Sequence, residues 1–308
     1  MFVTVSICTR NRAASLARTL DSIERSNHVA CEWELLIIDN GSTDGTADVV
    51  AAFKDRLPIR MQVEPRPGVA NARNASAIAA SGYYMVCTDD DVVVDPNWFG
   101  AYLDSFRTWP SDDLFAGRIV PVLEPPVTDW FETIAPSVHA LLAVRDMGDA
   151  AICLSTDGDH VPYGANCAVR TEVQRLFPFD TRRGPGATYF GEEITSYKAM
   201  MIAGHTGRWV PGSRVNHMIS PKRQTLEYIR WWYEALGRTV VWEGAETHAG
   251  KRLFGAPRWL WRRAITGELA FRIAHMTSPP DIWIKKLVQV SLDRGRLRQF
   301  LSAPALPL

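Results

Sequence analysis

Short apolar runs alternate with segments of helical spacing over the first 120 residues. Strand-like runs cover residues 2–8, 34–38, 59–63 and 83–88, and helix-like segments cover residues 15–26, 46–54, 69–81 and 96–107. In the first helix-like segment Leu16, Leu20 and Ile23 recur at helical spacing, and Ser15 precedes them as a candidate N-cap. Strands and helices that alternate with short connections predict a doubly wound α/β sheet.

Polar residues directly follow three of the predicted strands. These residues are Thr9, Asp39 and Asp89. Doubly wound sheets bind their ligands outside the carboxyl ends of the strands. We therefore expect the three side chains to lie along one edge of the sheet and to form part of a ligand site.

The pattern changes near residue 120 and again near residue 220. Four prolines interrupt the stretch that begins at 121, and residues 225–242 return to a helical pattern rich in aromatic side chains. The sequence therefore divides into residues 1–120, 121–220 and 221–308. We interpret the first two segments as halves of one α/β domain and the third as a helical C-terminal extension.

Charge is balanced over the whole chain but uneven along it. The 308 residues hold 34 Lys and Arg against 34 Asp and Glu, while residues 251–308 hold 11 basic and three acidic residues. The balanced total gives no reason to expect nucleic-acid binding. The five cysteines are scattered without a CxxC pair, so we expect reduced thiols. No stretch approaches the roughly 18 uninterrupted apolar residues of a membrane span, and no secretory pattern opens the sequence, so we expect a cytoplasmic protein.

Three adjacent aspartates, Asp89, Asp90 and Asp91, stand between two apolar runs. Their charges repel each other unless a cation or hydrogen-bond donors compensate them. On a surface loop they would form a solvated turn. Directly after a buried strand, a divalent cation with phosphate oxygens is the natural compensation, because Mg²⁺ and Mn²⁺ favour oxygen ligands. The run alone leaves both interpretations open.

The aspartates belong to a series of motifs. The sequence reads VSICTRNR at 5–12, IIDNGSTD at 37–44, PGVANARN at 67–74 and TDDD at 88–91. In this order and spacing the motifs closely resemble those of the family 2 glycosyltransferases, over about the first 100 residues. The resemblance implies the GT-A fold and a divalent metal cofactor, Mn²⁺ or Mg²⁺. It implies nucleotide contacts from Thr9, Arg10, Asn11, Arg12, Asp39, Gly68, Arg73, Asp89 and Asp90, with Asp89 at the ribose, and metal binding by Asp91.

Two motifs of the second half extend the resemblance. The stretch YGANCAVR at 163–170 is similar to a family segment that shapes the pocket beside the transferred sugar, which implicates Gly164, Ala165 and Asn166. Gly191-Glu192-Glu193 stands where many members carry Gly-Glu-Asp. Chemistry at a hydroxyl needs a carboxylate base, for which Glu193 is the first candidate and Glu192 the second. Both would otherwise be helix-start carboxylates that the macrodipole favours.

Histidine and tryptophan side chains supply the remaining candidates. A lone histidine such as His217 is usually structural, but related glycosyltransferases often place one here to complete the metal shell. Trp231 and Trp232 could face a sugar ring, although core packing is the commoner role of such residues. The segment WLWRR at 259–263 combines aromatic and basic residues, which suits an anionic membrane surface.

We therefore expect a metal-dependent glycosyltransferase. A nucleoside-diphosphate sugar, in first place a UDP-sugar, would donate its sugar with inversion to a hydroxyl of a saccharide or lipid-linked acceptor. Residues 1–120 would bind the nucleotide sugar, 121–220 the acceptor, and 221–308 the acceptor or the inner face of the plasma membrane. The expected setting is cell-envelope, exopolysaccharide or glycolipid synthesis. The alternatives are a sugar-phosphate nucleotidyltransferase and a non-catalytic carbohydrate-binding module. A dinucleotide oxidoreductase is disfavoured because no GxGxxG follows the first strand.

Overall fold

A computed structural model of the chain describes residues 1–27, 31–156, 160–184, 187, 189–244 and 251–302. The chain forms two compact units. The first comprises Met1–Val122, Ala143–Ala187 and Gly191–Met218, and the second comprises Leu123–Leu142, Thr188–Phe190 and Ile219–Leu308. The second unit therefore contains two short segments from the middle of the chain besides its C-terminal part.

An eight-stranded mixed sheet forms the centre of the fold. In spatial order its strands run β3-β2-β1-β4-β7-β6-β8-β5. Strands β1 to β4 are parallel, β7 is antiparallel to both β4 and β6, and β5 is antiparallel to β8. The strands are β1 Val3–Thr9, β2 Trp33–Asp39, β3 Ile59–Val63, β4 Tyr84–Asp89, β5 Val92–Val94, β6 Leu114–Leu123, β7 Asn166–Arg170 and β8 Gly207–Ile219.

Helices cover both faces of the sheet, as the alternating pattern predicts. Side chains of β2 alternate between two core layers: Leu35 and Ile37 join one apolar cluster, and Leu36 and Ile38 join the other. Both layers are closed by helices, which explains why the strands read as continuous apolar runs. The helices of the chain are α1 Ala13–Glu24, α2 Thr46–Phe53, α3 Val69–Ala79, α4 Trp98–Thr108, α5 Asp129–Ile134, α6 Thr171–Leu176, α7 Glu192–Ile202, α8 Leu226–Trp242, α9 Arg258–Thr277 and α10 Pro280–Ser302.

The first helix begins earlier than its sequence pattern predicts. α1 starts at Ala13 with Arg12 in the N-cap position, so Ser15 lies inside the first turn. The predicted apolar positions Leu16, Leu20 and Ile23 are all buried. The carboxylate of Asp44, in the loop after β2, accepts a hydrogen bond of 3.0 Å from the backbone nitrogen of Ala13. A group distant in sequence thus satisfies a donor of the helix start, which a local capping signal cannot reveal.

The second unit is mainly helical. Helix α10 packs against both α8 and α9. Two glycines permit a close approach of α8 and α10: a β-carbon on Gly237 would collide with the carbonyl oxygen of Leu292, and one on Gly295 with that of Glu234. Among the described residues, the helices fall short of the length and apolar character needed to cross a bilayer.

Candidate active site

The carboxyl ends of three parallel strands carry the predicted ligand-site residues. Thr9 is the register partner of Asp39 between β1 and β2, and Cys8 is the partner of Asp89 between β1 and β4. Thr9, Asp39 and Asp89 therefore lie side by side along one edge of the sheet. The convergence that the sequence predicts for these three residues is confirmed.

The loops after β1 and β2 are tied to each other at this edge. Asn11 adopts a positive φ of 53°, and its side-chain oxygen accepts a hydrogen bond from the nitrogen of Thr43 at 2.7 Å. The backbone nitrogen of Asn11 donates in turn to the hydroxyl of Ser42 at 2.9 Å. The nitrogen of Ser42 also donates to the carboxylate of Asp39 at 2.9 Å. The two loops are thus preorganised, while Arg10 is exposed beside them.

Gly68 begins the third element of this edge. Its φ of +114° lies in a region that side chains with a β-carbon rarely adopt, which explains the glycine at the start of α3. Its backbone nitrogen donates to the side-chain oxygen of Asn40 at 2.9 Å. The start of α3 is thereby fixed next to the loop that follows β2.

Asp90 is held by protein groups on both of its oxygens. The hydroxyl of Thr9 donates to one oxygen at 2.7 Å, and the guanidinium of Arg12 donates to the other at 2.9 Å. Arg12 also donates to Asp91 at 2.7 Å. Burial, opposed by the charge of Arg12, raises the pKa of Asp90 to about 6. Asp90 is therefore the least accessible of the three aspartates for a ligand. Its carboxylate holds Arg12 in position.

Asp91 and His217 come together through the pairing of β5 with β8. Val92 is the register partner of His217, and the backbone nitrogen of Met218 donates to the carbonyl of Asp91 at 2.8 Å. The Nε2 atom of His217 lies 3.4 Å from a carboxylate oxygen of Asp91, and both side chains are buried. One carboxylate and one imidazole form a donor set that Mn²⁺ accepts.

The donor set fits a metal that is shared with a ligand. Within the described part of the chain, no three His, Cys, Asp or Glu side chains are gathered as a metal site. Asp91 and His217 alone supply too few ligands for a six-coordinate ion. Arg12 donates to one carboxylate oxygen of Asp91 at 2.7 Å, and His217 lies 3.4 Å from the other. The remaining ligands would have to come from a bound molecule such as a diphosphate.

Arg73 connects the aspartates with the start of α7. Its guanidinium donates to Glu192 at 2.7 Å and to Asp89 at 3.4 Å, and it lies 3.4 Å from a carboxylate oxygen of Glu193. Gly164 makes room for this group, because a β-carbon there would collide with the guanidinium of Arg73. Arg73, which the sequence predicts to contact the nucleotide, thus contacts all three carboxylates of this cluster.

One guanidinium compensates three carboxylates in this cluster. Burial and the neighbouring charge of Glu193 raise the pKa of Glu192 to about 8, against the opposing effect of Arg73. Burial likewise raises the pKa of Asp89, where Arg73 opposes the shift and Asp91 reinforces it. Glu192 is 3% exposed, whereas the side chain of Glu193 is 19% exposed. Burial and the neighbouring carboxylates therefore favour the protonated form of Glu192, and Glu193 is the carboxylate that a ligand can reach.

Gly184 is a site residue that the sequence analysis missed. Its φ is +93°, and a β-carbon there would come within 2.6 Å of a carboxylate oxygen of Glu192. Gly184 thus leaves space for the buried glutamate, as Gly164 does for Arg73. Gly184 lies in a segment rich in glycine and proline, and such a composition predicts a loop. The composition does not predict that this loop packs against Glu192.

Asn166 supports the site from the core instead of lining a pocket. Its side-chain oxygen accepts hydrogen bonds from Trp98 at 2.8 Å and Tyr102 at 2.9 Å, and its nitrogen donates to the carbonyls of Arg118 and Ser213. The residue is fully buried. Both polar atoms of the Asn166 side chain are bonded within the first unit, so this side chain would shape the predicted sugar pocket from the core, and its place in that pocket stays a prediction.

Ala165 and the two tryptophans differ in their relation to the site. The carbonyl of Ala165 accepts a hydrogen bond of 2.8 Å from Thr88, directly before the aspartates. Trp231 and Trp232 belong to the second unit, where their rings lie 5.7 and 5.6 Å from the ring of Phe190. Their contact with a sugar stays a prediction.

Comparison with known protein families places this geometry in context. Residues 4–171, more than half of the chain, match the family model described as Glycosyl transferase family 2. The matched region contains Arg73 and all three aspartates, and it ends before Glu192, Glu193 and His217.

Similar sequences include named glycosyltransferases. The validoxylamine A glucosyltransferase of Streptomyces hygroscopicus subsp. jinggangensis is 38% identical over 103 residues, which are 33% of this chain and 24% of that protein. An uncharacterized glycosyltransferase of Nostoc sp. is 29% identical over 187 residues, 58% of this chain and 54% of that protein. The chain thus spans about a quarter to a half of the length of these relatives.

Solved structures share the fold over nearly the whole chain. The mannosyltransferase PcManGT from Pyrobaculum calidifontis, in complex with GDP-Man and Mn²⁺, aligns with a TM-score of 0.60 at 19% identity, covering 96% of this chain and 86% of that chain. S. aureus TarS 1-349 in complex with UDP aligns with a TM-score of 0.57 at 13% identity, covering 97% and 92%. At these identities the likeness shows the fold alone.

Proposed function

We propose, from the premise that this chain belongs to glycosyl transferase family 2 and has its GT-A fold, that it transfers a sugar from a nucleoside-diphosphate sugar to a hydroxyl group. One observation carries the proposal. Arg73 joins Asp89, at the nucleotide edge of the sheet, to Glu192 and Glu193 at the start of α7. A leaving-group site and a candidate base thus share one charge cluster, as sugar transfer requires.

The edge formed by the loops after β1 and β2 would bind the nucleotide. Thr9, Asn11, Asp39 and the start of α3 are fixed there by hydrogen bonds with, in that order, Asp90, Thr43, Ser42 and Asn40. We propose a UDP-sugar as donor, since TarS was solved with UDP and with UDP-GlcNAc. PcManGT was solved with GDP-Man, so GDP-sugars are the alternative within the same fold.

A divalent cation, Mn²⁺ or Mg²⁺, would be held by Asp91 and His217 together with the diphosphate. Bound there, the ion would supply positive charge that stabilises the departing nucleoside diphosphate. Arg12 also contacts Asp91, so its guanidinium would add a second positive charge next to the diphosphate.

Glu193 would act as the general base. It would accept the proton of the acceptor hydroxyl while the hydroxyl oxygen bonds to the anomeric carbon and the bond to the diphosphate breaks. A single displacement of this kind inverts the configuration. Glu192 is less suited to act as base, because it is 3% exposed and its carboxylate already accepts a hydrogen bond of 2.7 Å from Arg73. Its part is to anchor Arg73.

The acceptor would be a saccharide or a lipid-linked saccharide, which would place the enzyme in cell-envelope, exopolysaccharide or glycolipid synthesis. A thermal-shift screen of UDP, GDP and dTDP, each with and without Mn²⁺, tests the donor site. A ligand that binds only the folded chain raises the midpoint in proportion to ln(1 + [L]/Kd). We expect a large shift with UDP and Mn²⁺ together and small shifts with either alone, because Asp91 and His217 leave most of the metal's coordination to the nucleotide. Equal shifts for all three nucleotides, independent of metal, would contradict the proposal.

A further inference from the structure

Helix α9 presents an apolar stripe to solvent. Its buried positions are Leu260, Ala264, Phe271 and Ala274, as expected for the face that packs on the second unit. The opposite face carries Ile265, Leu269, Ile273 and Met276, which are 66%, 60%, 50% and 78% exposed. Surface helices normally carry polar residues on that face. A row of four large apolar side chains therefore indicates an interaction surface.

Arginines are interleaved with the apolar stripe. Arg258, Arg262 and Arg272 are exposed, and at 100° per residue they fall with the four apolar residues within roughly 100° of the helix circumference. No acidic residue falls in this sector. The outward face of α9, defined by these seven residues, is thus both apolar and cationic.

The adjacent part of α10 extends the same character. A groove between α9 and α10 is lined on the α10 side by Ile282, Lys285, Lys286 and Gln289, of which all four are exposed. On the α9 side its lining includes Thr266 and Ala270, each directly after a residue of the stripe. The two lysines therefore lie beside the outward face of α9 and add to its positive charge.

We propose that the outward face of α9, with Ile282, Lys285 and Lys286 of α10, docks on an anionic lipid bilayer. An interfacial helix buries its apolar face at the boundary of headgroups and acyl chains, and Lys and Arg along its flanks contact the lipid phosphates. The surface has both parts of that pattern. Two carboxylates near it are already paired with arginines: Glu268 with Arg230 and Arg272, and Asp293, which also lines the groove, with Arg263 and Arg296. The proposal is independent of the transferase site, because it rests only on residues of α9 and α10.

The docking residues differ from the segment that the sequence singles out. Within residues 259–263, Leu260 is buried, Trp261 is half-buried and donates a hydrogen bond of 2.9 Å to the carbonyl of Leu253, and Arg263 bonds to Asp293. Trp259 and Arg262 are exposed, and the guanidinium of Arg263 lies 5.4 Å from the centre of the Trp259 ring. The aliphatic stripe farther along α9, which has no aromatic signal, supplies most of the exposed apolar area.

Vesicle flotation of the full chain tests the proposal. We expect binding to vesicles that mix phosphatidylglycerol with phosphatidylcholine, and much weaker binding to phosphatidylcholine alone. The triple variant Ile265→Ser, Leu269→Ser, Ile273→Ser should lower the partition coefficient on the order of a hundredfold. Lys285→Gln with Lys286→Gln should weaken binding to the anionic vesicles only, and added salt should weaken binding of the wild type.

Ile78→Ser and Ile202→Ser are matched controls, because these isoleucines are 73% and 78% exposed on helices of the first unit. They should bind vesicles as the wild type does. Circular dichroism of each variant verifies that it folds. The proposal is overturned if the wild type does not float, if the triple variant floats as well as the controls, or if the triple variant instead abolishes a dimer seen by light scattering without any change in flotation.

Discussion

Replacement of Glu192 by glutamine probes the charge cluster around Arg73 most sharply. The substitution keeps the shape of the side chain and its hydrogen-bonding capacity but removes its titration. Glu192 is 3% exposed and accepts a hydrogen bond of 2.7 Å from Arg73. Since Glu193 and Asp89 also contact Arg73, the cluster contains more negative groups than its one cation can compensate. Excess negative charge in a buried site is relieved by binding a proton.

The size of the effect follows from the shifted pKa. Burial and the charge of Glu193 raise the pKa of Glu192 from 4.5 to about 8. Between these values the folded protein holds a proton that the unfolded chain has released. This contribution to stability is fully present below the lower value and is lost as pH rises toward the upper one, by up to about 1.4 kcal/mol per pH unit. From about pH 5 to pH 8 the loss is on the order of 4 kcal/mol.

Urea unfolding of wild type and Glu192→Gln at a series of pH values measures this difference. The wild type should lose stability relative to the variant as pH rises across the window. Glu172→Gln is the matched control, because Glu172 is an exposed glutamate that also lies in the first turn of a helix. Its stability curve should run parallel to that of the wild type. If the curve of Glu192→Gln is also parallel to that of the wild type, Glu192 is ionised over this whole pH range and does not hold the proton.

Four further substitutions separate the roles of residues at the site. Asn166→Ala removes four buried hydrogen bonds and should cost about 3 kcal/mol or more in urea unfolding, and an unchanged stability would contradict its role in the core. Gly164→Ala should displace Arg73, slow nucleoside-diphosphate release at least about tenfold and lower the melting temperature, because three carboxylates lose part of their compensation. Full activity would refute the tight fit. Asp91→Asn should abolish the Mn²⁺-dependent part of the thermal shift with UDP, whereas Asp90→Asn, whose partners are Thr9 and Arg12, should retain it.

The parallel half of the sheet could be predicted because its signals are local. Strands β1, β2 and β4 are mostly apolar, β3 alternates apolar with polar residues, and helical patterns separate them. The ends of β1, β2 and β4 carry the polar residues of the site. The parallel register then brings Thr9, Asp39 and Asp89 together without further information. In the same part of the chain, the spacing of the motifs indicated the family.

The remainder depends on contacts between distant segments. β8 spans 13 residues but contains Pro211 and Gly212 and alternates polar with apolar side chains, so no apolar run marks it. The buried bonds of Asn166 reach residues 47 to 68 positions away, which a motif cannot reveal. The link between Arg73 and Glu192 joins residues 119 positions apart. Sequence reasoning found both residues but assigned them to separate functions.

The central claim is that Glu193 removes the acceptor proton during sugar transfer. The most direct measurement compares wild type with Glu193→Gln for donor affinity and for release of nucleoside diphosphate, with the nucleotide sugar that stabilises the chain and a pool of saccharide and glycolipid acceptors. We expect Glu193→Gln to bind the donor as the wild type does and to release nucleoside diphosphate at least about a hundredfold more slowly. Undiminished release by Glu193→Gln would contradict the account.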